Sequence, residues 1–421
     1  MPIVVSTEDI RPGMRLSEAF LFKGRIMLPG GKELSSEDVD ILRRKYPSAS
    51  LKIGDPVLDS LVNFEDDSRE REVANTVTHK IAGAMGDVQQ KFGQRANVGG
   101  NTFTGIQRTV GDVVEYLKAN PVSAALINRN STDKSYLAEH AGNVFYLSMV
   151  LGSAVRDYVV RERQRQTHAS NLTATVAMDL LPLGLGAMLL DIGMAPLERV
   201  FAPDYKLTDD DRKLILEHPA AGADMLPDSM PPVTKVIVRQ HHENFDGSGY
   251  PARAPGNSLH VFVRIVRICD AFDAATSDKL YKGAKSATRV LWEMSAGPFK
   301  KFYDPVLTKV FCGTIQPFPI GGKLTLADGR TAVVVKYNRQ SPFNPTVIIA
   351  FDEQGNRLPP DKLQGPLNVG EGNKLRLKSF AGEDISYVQE VPPPITAAST
   401  PPKEVSPAPR AFQDLVQAAY P

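Results

Sequence analysis

The chain has 421 residues, with 49 Lys and Arg against 48 Asp and Glu, for a formal net charge of +1. That balance supplies no field to steer the chain to DNA or to an acidic membrane, so neither is an expected partner. The length suits several domains of roughly 100–200 residues each. Cys269 and Cys312 are too few for a disulfide framework and fit a reducing, cytoplasmic setting. Apolar stretches such as Met178–Leu190 are interrupted by Asp179, Pro182 and glycines. The N-terminus MPIVVSTEDIRPGM has no basic start and no long apolar run. Neither a membrane span nor a signal peptide is predicted.

Residues 1–60 read as a small α+β module. Strands are predicted at Ile3–Val5, Ala19–Phe22, Arg25–Leu28 and Ser50–Ile53, separated by PGM, KGR and PGG. A helix is predicted over Ser36–Arg44, capped by Ser35 or Ser36, with Val39 and Leu42 on its apolar face. Residues 61–120 form a helical linker. Val73, Val77, Ile81, Ala84 and Val88 recur at helical spacing, and after a Gly-rich break so do Ile106, Val110, Val113, Val114 and Leu117. The first stripe, on Glu65–Phe92, makes a homodimer an expectation.

The block 121–310 is predicted to be mostly helix, with segments at Tyr136–Val155, Leu172–Leu190, Asp209–Met225, Val233–His242 and Val261–Thr276. After Pro305 the texture turns strand-like. Residues 311–391 carry strands at Lys323–Leu326, Thr331–Asn338 and Thr346–Phe351, the first two as a hairpin around Ala327–Arg330. From Pro392 the run PPPITAASTPPKEVSPAP predicts a disordered tail ending in a short apolar patch, Phe412–Tyr420. The fold class is therefore mainly α: an all-helical core flanked by a small α+β module and a β-rich extension.

Six of the seven histidines fall in the helical block, and four of them stand with aspartates at useful places: His140 in YLAEHAGNV, His218 in LEHPAAG, and His241-His242 in QHHENFDGSGYP. Asp191 in LLDIGM and Asp270 in ICDAFDAATS accompany them. Each lies on or at the end of a predicted helix, so helix packing can turn all six inward. Imidazoles mixed with carboxylates suit a first-row transition metal and are too nitrogen-rich for Mg²⁺ or Ca²⁺. Singly, His140 and His218 read first as hydrogen-bonded core or boundary residues, while the adjacent pair is the stronger signal, its plain reading being a polar helix end running into the Asp246–Gly249 turn. His79, His168 and His260 stand outside this pattern, His168 within a polar stretch, RERQRQTHASN, read as a loop.

Taken in order, the string HHENFDGSGYP, preceded by HPAAG and followed by DAFDAATS, resembles the HD-GYP subfamily of the HD metal-dependent phosphohydrolases. The resemblance spans residues 136–310. It implies an HD-type helical bundle holding a divalent transition metal, Fe or Mn, one or two per chain, and a phosphodiesterase acting on the bacterial messenger cyclic di-GMP. Residue by residue, it implies His140, Asp191, His218, His241, His242 and Asp270 as metal ligands, with Asp191 also catalytic. Gly249, Tyr250 and Pro251 would shape the substrate loop. Asp273, Lys279, Tyr281 and Lys282 would contact the nucleotide, Lys279 standing where arginine is usual.

The departures concern the metal. Leu190 replaces the histidine of the HD dyad, Met194 replaces the lysine that closes that motif, and Tyr136 replaces the glutamate of three-metal members. Leucine offers no lone pair. One position keeps Asp191, His218, His241 and His242. The other keeps His140 and Asp270 with a share of Asp191. The expectation is a weakened phosphodiesterase. The alternative is an inactive module that binds cyclic di-GMP or a signalling protein partner without turnover.

Overall fold

A computed structural model describes residues 2–17, 19–22, 25–47, 49–54, 67–93, 100–120, 135–167, 172–201, 205–277, 285–370 and 375–389. Lys279, Tyr281, Lys282, His168 and the Pro-rich tail with its Phe412–Tyr420 patch lie outside these residues. The chain divides into two units, and one of them is built chiefly from two segments far apart in sequence, Met1–Ser68 and Ile315–Val391.

The first segment contributes β1 (Pro2–Ser6), β2 (Arg15–Leu16), the antiparallel pair β3 (Phe20–Phe22) and β4 (Arg25–Leu28), α1 (Ser36–Lys45) and β5 (Ser50–Gly54). β5 lies between β1 and β2, antiparallel to both. α1 begins with a capping box: the Ser35 hydroxyl accepts from the Asp38 N–H while the Asp38 carboxylate accepts from the Ser35 N–H. The second segment contributes β6 (Lys323–Leu326), β7 (Thr331–Lys336), β8 (Thr346–Phe351), β9 (Gln364–Asn368), β10 (Leu377–Phe380) and β11 (Glu383–Asp384). Among the described residues they form one antiparallel sheet in the order β11-β10-β6-β7-β8-β9.

Strand alternation explains why both segments belong to one unit. Ala332, Val334, Val347 and Ile349 point to one face and pack with Phe318, Leu324 and Leu377. Val333 and Ala350 point to the other and share a core with Val5, Ile10, Leu16, Leu42 and Leu51 of the N-terminal segment. A sheet covered on both faces has apolar residues at consecutive positions, as TAVVV and TVIIAF show.

The helical unit contains α2 (Asp67–Gly93), α3 (Gly100–Ala119), α4 (Tyr136–Ala154), α5 (Arg156–Thr167), α6 (Ala174–Ala177), α7 (Leu181–Leu189), a 3-10 segment (Ile192–Phe201), α8 (Asp209–Met225), α9 (Pro232–Gln240), α10 (Val261–Thr276), α11 (Ala287–Ser295) and α12 (Pro305–Ile315). α4 packs on both α7 and α10, and α9 packs on both α7 and α8. α4 is buried nearly all round, as a helix at the centre of a bundle must be. The stretch Ala174–Leu197, apolar enough by composition to span a bilayer, is buried inside this unit.

Three helical predictions need correction. Leu172–Leu190 is two helices, because the Asp179 carboxylate accepts the Leu181 N–H and Pro182 starts a new helix there. The polar stretch before His168 belongs to a helix, α5, with little apolar signal. Its side chains are bound instead: Arg163 donates to the carbonyls of Val176 and Ala177, Gln164 to Leu172, and Gln166 to Leu259. The segment after Pro305 starts as helix α12, with the Asp304 carboxylate accepting the N–H groups of Val306 and Leu307.

α10, which carries Asp270 and Asp273, is held at its start. The His260 Nδ1 accepts the Phe262 N–H at 3.1 Å. One turn on, the buried Arg264 guanidinium donates to Tyr158 (3.0 Å), to Asp304 (2.7 Å) and to Glu162. These bonds join α5, α10 and the start of α12, and they satisfy a charge that would be costly to bury alone.

Candidate metal centre and active site

Asp191 sits where α7 ends and the 3-10 segment begins. Gly193, two residues on, permits the close approach of that segment to α8: a Cβ there would lie 2.2 Å from the His218 carbonyl oxygen. No side chain fits. The Asp191 carboxylate is thereby pressed against His218, with Oδ1 at 3.1 Å from His218 Nε2 and 3.7 Å from His241 Nε2.

The His-Pro pair on α8 has a mechanical explanation. Pro219 has no N–H, so the Ile215 carbonyl one turn earlier lacks its usual helical donor. The His218 Nδ1–H occupies that carbonyl at 2.5 Å. His241 does the same at the end of α9, donating Nδ1–H to the Val238 carbonyl at 2.8 Å, one of the orphan carbonyls every helix end leaves. With both Nδ1 atoms acting as donors, both Nε2 atoms carry lone pairs. Those two Nε2 atoms lie 3.2 Å apart and both face Asp191.

Three electron-rich atoms converge in a fully buried site. His242 adds a fourth donor, its ring tilted against that of His241 at 4.1 Å. One potential ligand atom from each of Asp191, His218, His241 and His242 falls within 4.8 Å of the others. The buried Asp191 Oδ1 and His242 Nε2 make no hydrogen bond, which is costly unless a cation completes them. Burial pushes the His241 pKa down to about 4 and that of His242 well below its ordinary value, keeping both in the neutral, ligating form. The donor set fits a divalent transition metal.

His140 and Asp270 are arranged differently. His140 Nδ1 lies 2.7 Å from Asp273 Oδ2 and its Nε2 lies 3.2 Å from Asp270 Oδ1, with Asp191 Oδ2 at 3.7 Å. Burial opposes charge on this ring, but the hydrogen bonds to Asp270 and Asp273 override it and raise the pKa to about 10. Leu190 and Met194 are fully buried, Met194 in a cluster with Leu137, Leu197, Val200 and Ile215. Tyr136 stacks on His140 with an interplanar angle of 7° and also lies against Phe201.

The loop after the histidine pair folds back on it. Glu243, buried, accepts the N–H groups of Ala252 (2.6 Å) and Ala254 (3.1 Å). The Tyr250 N–H donates to the His242 carbonyl, and the Tyr250 ring stacks on the His242 ring at 4.9 Å. Gly249 passes so near the chain that a Cβ would lie 2.3 Å from the Asn244 nitrogen. Pro251 follows at the surface. This places Gly249, Tyr250 and Pro251 beside the cluster.

Asp273, grouped by resemblance with the nucleotide contacts, is fully buried and has both oxygens engaged: Oδ2 by His140 and Oδ1 by Asn143 Nδ2 at 3.0 Å. It orients His140. Asn143, Glu243 and Arg267 had no role in the sequence reading. Glu243 was legible as the third letter of HHEN, while Asn143 and Arg267 became visible only as neighbours one helical turn from His140 and Asp270. Of the three spare histidines, His260 serves as a helix cap and His79 bonds the Asn75 carbonyl on α2.

Residues 158–307 match the family described as HD domain. Over those residues the chain is similar to an HD domain. It is 30% identical over 196 residues to the cyclic di-GMP phosphodiesterase PA4108 of Pseudomonas aeruginosa, covering 46% of this chain and 47% of that one. It is 29% identical over 178 residues to the cyclic di-GMP phosphodiesterase response regulator RpfG of Xanthomonas campestris, covering 40% and 47%. A 3'3'-cGAMP-specific phosphodiesterase of Vibrio cholerae is 32% identical over 108 residues, 25% of this chain and 20% of that one. The chain spans about half the length of the first two relatives.

Proposed function

We propose that the HD domain is a metal-dependent phosphodiesterase that hydrolyses cyclic di-GMP, in the cytoplasm and at a reduced rate. The observation that carries this reading is the buried convergence of Asp191 Oδ1 with the lone-pair-bearing Nε2 atoms of His218 and His241. The similarity to cyclic di-GMP phosphodiesterases supports the substrate. Asp191, His218, His241 and His242 would hold one Fe or Mn ion. A divalent ion in such a site supplies Lewis acidity toward a phosphoryl oxygen and activates water.

The chain's own residues account for the rest. Asp191 aligns the centre through its short contact with His218 and is the residue on which catalysis depends. The carbonyls of Ile215 and Val238 fix the ring orientations, so that the Nε2 atoms need no reorganisation. Glu243 holds the loop that sets Tyr250 against His242, forming one wall beside the reacting phosphodiester. Asp273 and Asn143 hold His140. Lys279, Tyr281 and Lys282 complete the reading as nucleotide contacts. Leu190 supplies no nitrogen and Met194 no charge, and the loss of one electrostatic donor typically costs about 2.7–4 kcal/mol of transition-state stabilisation.

The test is turnover of cyclic di-GMP by the Mn²⁺-loaded chain, followed by chromatography of the products, beside a 3'3'-cGAMP control. Slow conversion to a linear dinucleotide is expected, accelerated by at least about tenfold in Leu190→His. Metal-loaded protein that binds the nucleotide but converts none of it, in either form, would overturn the enzyme reading.

A further inference from the structure

Arg267 lies one turn before Asp270 on α10, with a side chain only 10% exposed. Its Nε donates to Asn244 Oδ1 at 3.0 Å, and its guanidinium lies over the Tyr303 ring, 5.4 Å from the centroid. These two contacts fix the plane of the group. Nη1 then falls 3.6 Å from Asp270 Oδ2, the oxygen that also faces His242 Nδ1 at 3.6 Å. Among the described residues neither Nη nitrogen makes a hydrogen bond, so a nearly buried charged group keeps unspent donors beside the metal cluster.

Both oxygens of Asp270 are therefore flanked by nitrogen, Oδ1 by His140 and Oδ2 by Arg267 and His242. A carboxylate that shares a metal needs an oxygen open to it. Leu190, the chain neighbour of Asp191, is fully buried and brings no donor. The place defined by His140 and Asp270 thus combines few ligands with the permanent charge of a guanidinium. A fixed positive charge in a buried site repels a divalent ion and supplies part of the charge such an ion would bring.

We propose that Arg267 takes the electrostatic place of a second metal ion, so that this chain works with one metal and one guanidinium. The metal is held by Asp191, His218, His241 and His242. Arg267 neutralises Asp270 and turns its free Nη donors toward a phosphodiester oxygen, a match of planar, doubly donating geometry. The substrate in this statement rests on the phosphodiesterase reading above, whereas the metal count rests on the ligand geometry alone.

The experiment uses the full chain, stripped of metal and reloaded with Mn²⁺. Bound metal is counted by elemental analysis and equilibrium dialysis, and ion spacing is read by electron paramagnetic resonance. The unmodified chain should hold one tightly bound Mn²⁺ with the spectrum of an isolated ion. Arg267→Met, similar in length but uncharged, should bind a second Mn²⁺ at least about tenfold more tightly and show a spin-coupled pair. Arg267→Lys, which keeps the charge, should remain at one. A coupled pair in the unmodified chain, or an unchanged second-ion affinity in Arg267→Met, overturns the proposal. The unmodified chain decides the count even if Arg267→Met fails to fold. No bound metal at all overturns the proposal together with the metal reading. Cyclic di-GMP turnover is measured on the same samples: one metal without turnover removes the substrate reading and leaves the metal count standing.

Discussion

Around Asp191, the imidazoles of His218 and His241 spend their Nδ1 protons on backbone carbonyls, and their Nε2 atoms point at one carboxylate oxygen. Around Asp270, the same residue types make a different object. His140 is bonded at both nitrogens by carboxylates and Arg267 lies against the second oxygen of Asp270, while Leu190 and Met194 are fully buried and bring no donor. The two half-sites differ in where the protons are held more than in residue count. A cluster whose donors are satisfied elsewhere is open to a metal, and one whose donors are satisfied by each other is closed.

That contrast can be broken most severely at the open half. His241→Ala removes a lone pair at the point of convergence. Bound metal should fall to background and cyclic di-GMP turnover by at least about a hundredfold, as elemental analysis and a product assay would show. Metal content that survives this change would place the ion elsewhere.

The closed half is tested by charge. Met194→Lys inserts an ammonium among Leu137, Leu197, Val200 and Ile215, all buried. Chemical denaturation should report a loss on the order of 3 kcal/mol. An unchanged midpoint would show that this wall is wet.

A third measurement sharpens the comparison through pH. A metal at His140 must displace a proton held up to about pH 10, because the bonds to Asp270 and Asp273 outweigh burial. Its affinity should therefore rise as pH rises, by about tenfold per unit below that value, in Mn²⁺ titrations of Leu190→His. His241, lowered to about 4 by burial, gives up no proton above that pH. A second-ion affinity independent of pH would separate His140 from metal binding. The smallest effect belongs outside the centre: Ser35→Ala removes the α1 cap at a cost of about 1 kcal/mol, read as a shift in thermal unfolding with metal content unchanged.

Much of the helical layout was readable from local signals. Asp209–Met225 and Val261–Thr276 coincide with their predicted ranges, because apolar spacing and clear stop signals bound them. α5 was missed because its side chains bond carbonyls of other segments, and no periodicity records a bond to a distant backbone. Beside the metal cluster, the HHEN string made His241 and His242 conspicuous. The bond from Asp273 to His140 was not legible, because an aspartate's letter is the same whether it faces a nucleotide or a buried imidazole.

The sequence alone determined the mainly α class, the candidate ligand types, their order along the chain, and the leucine that precedes Asp191. Only the tertiary structure decided that the N-terminal segment and the β6–β11 sheet share one core, since the pairing of Val5 and Leu16 with Val333 and Ala350 is non-local. It also decided which nitrogen of His218 and of His241 faces Asp191. That depends on carbonyls exposed by Pro219 and by the end of α9, and so on backbone geometry that a residue's identity does not encode.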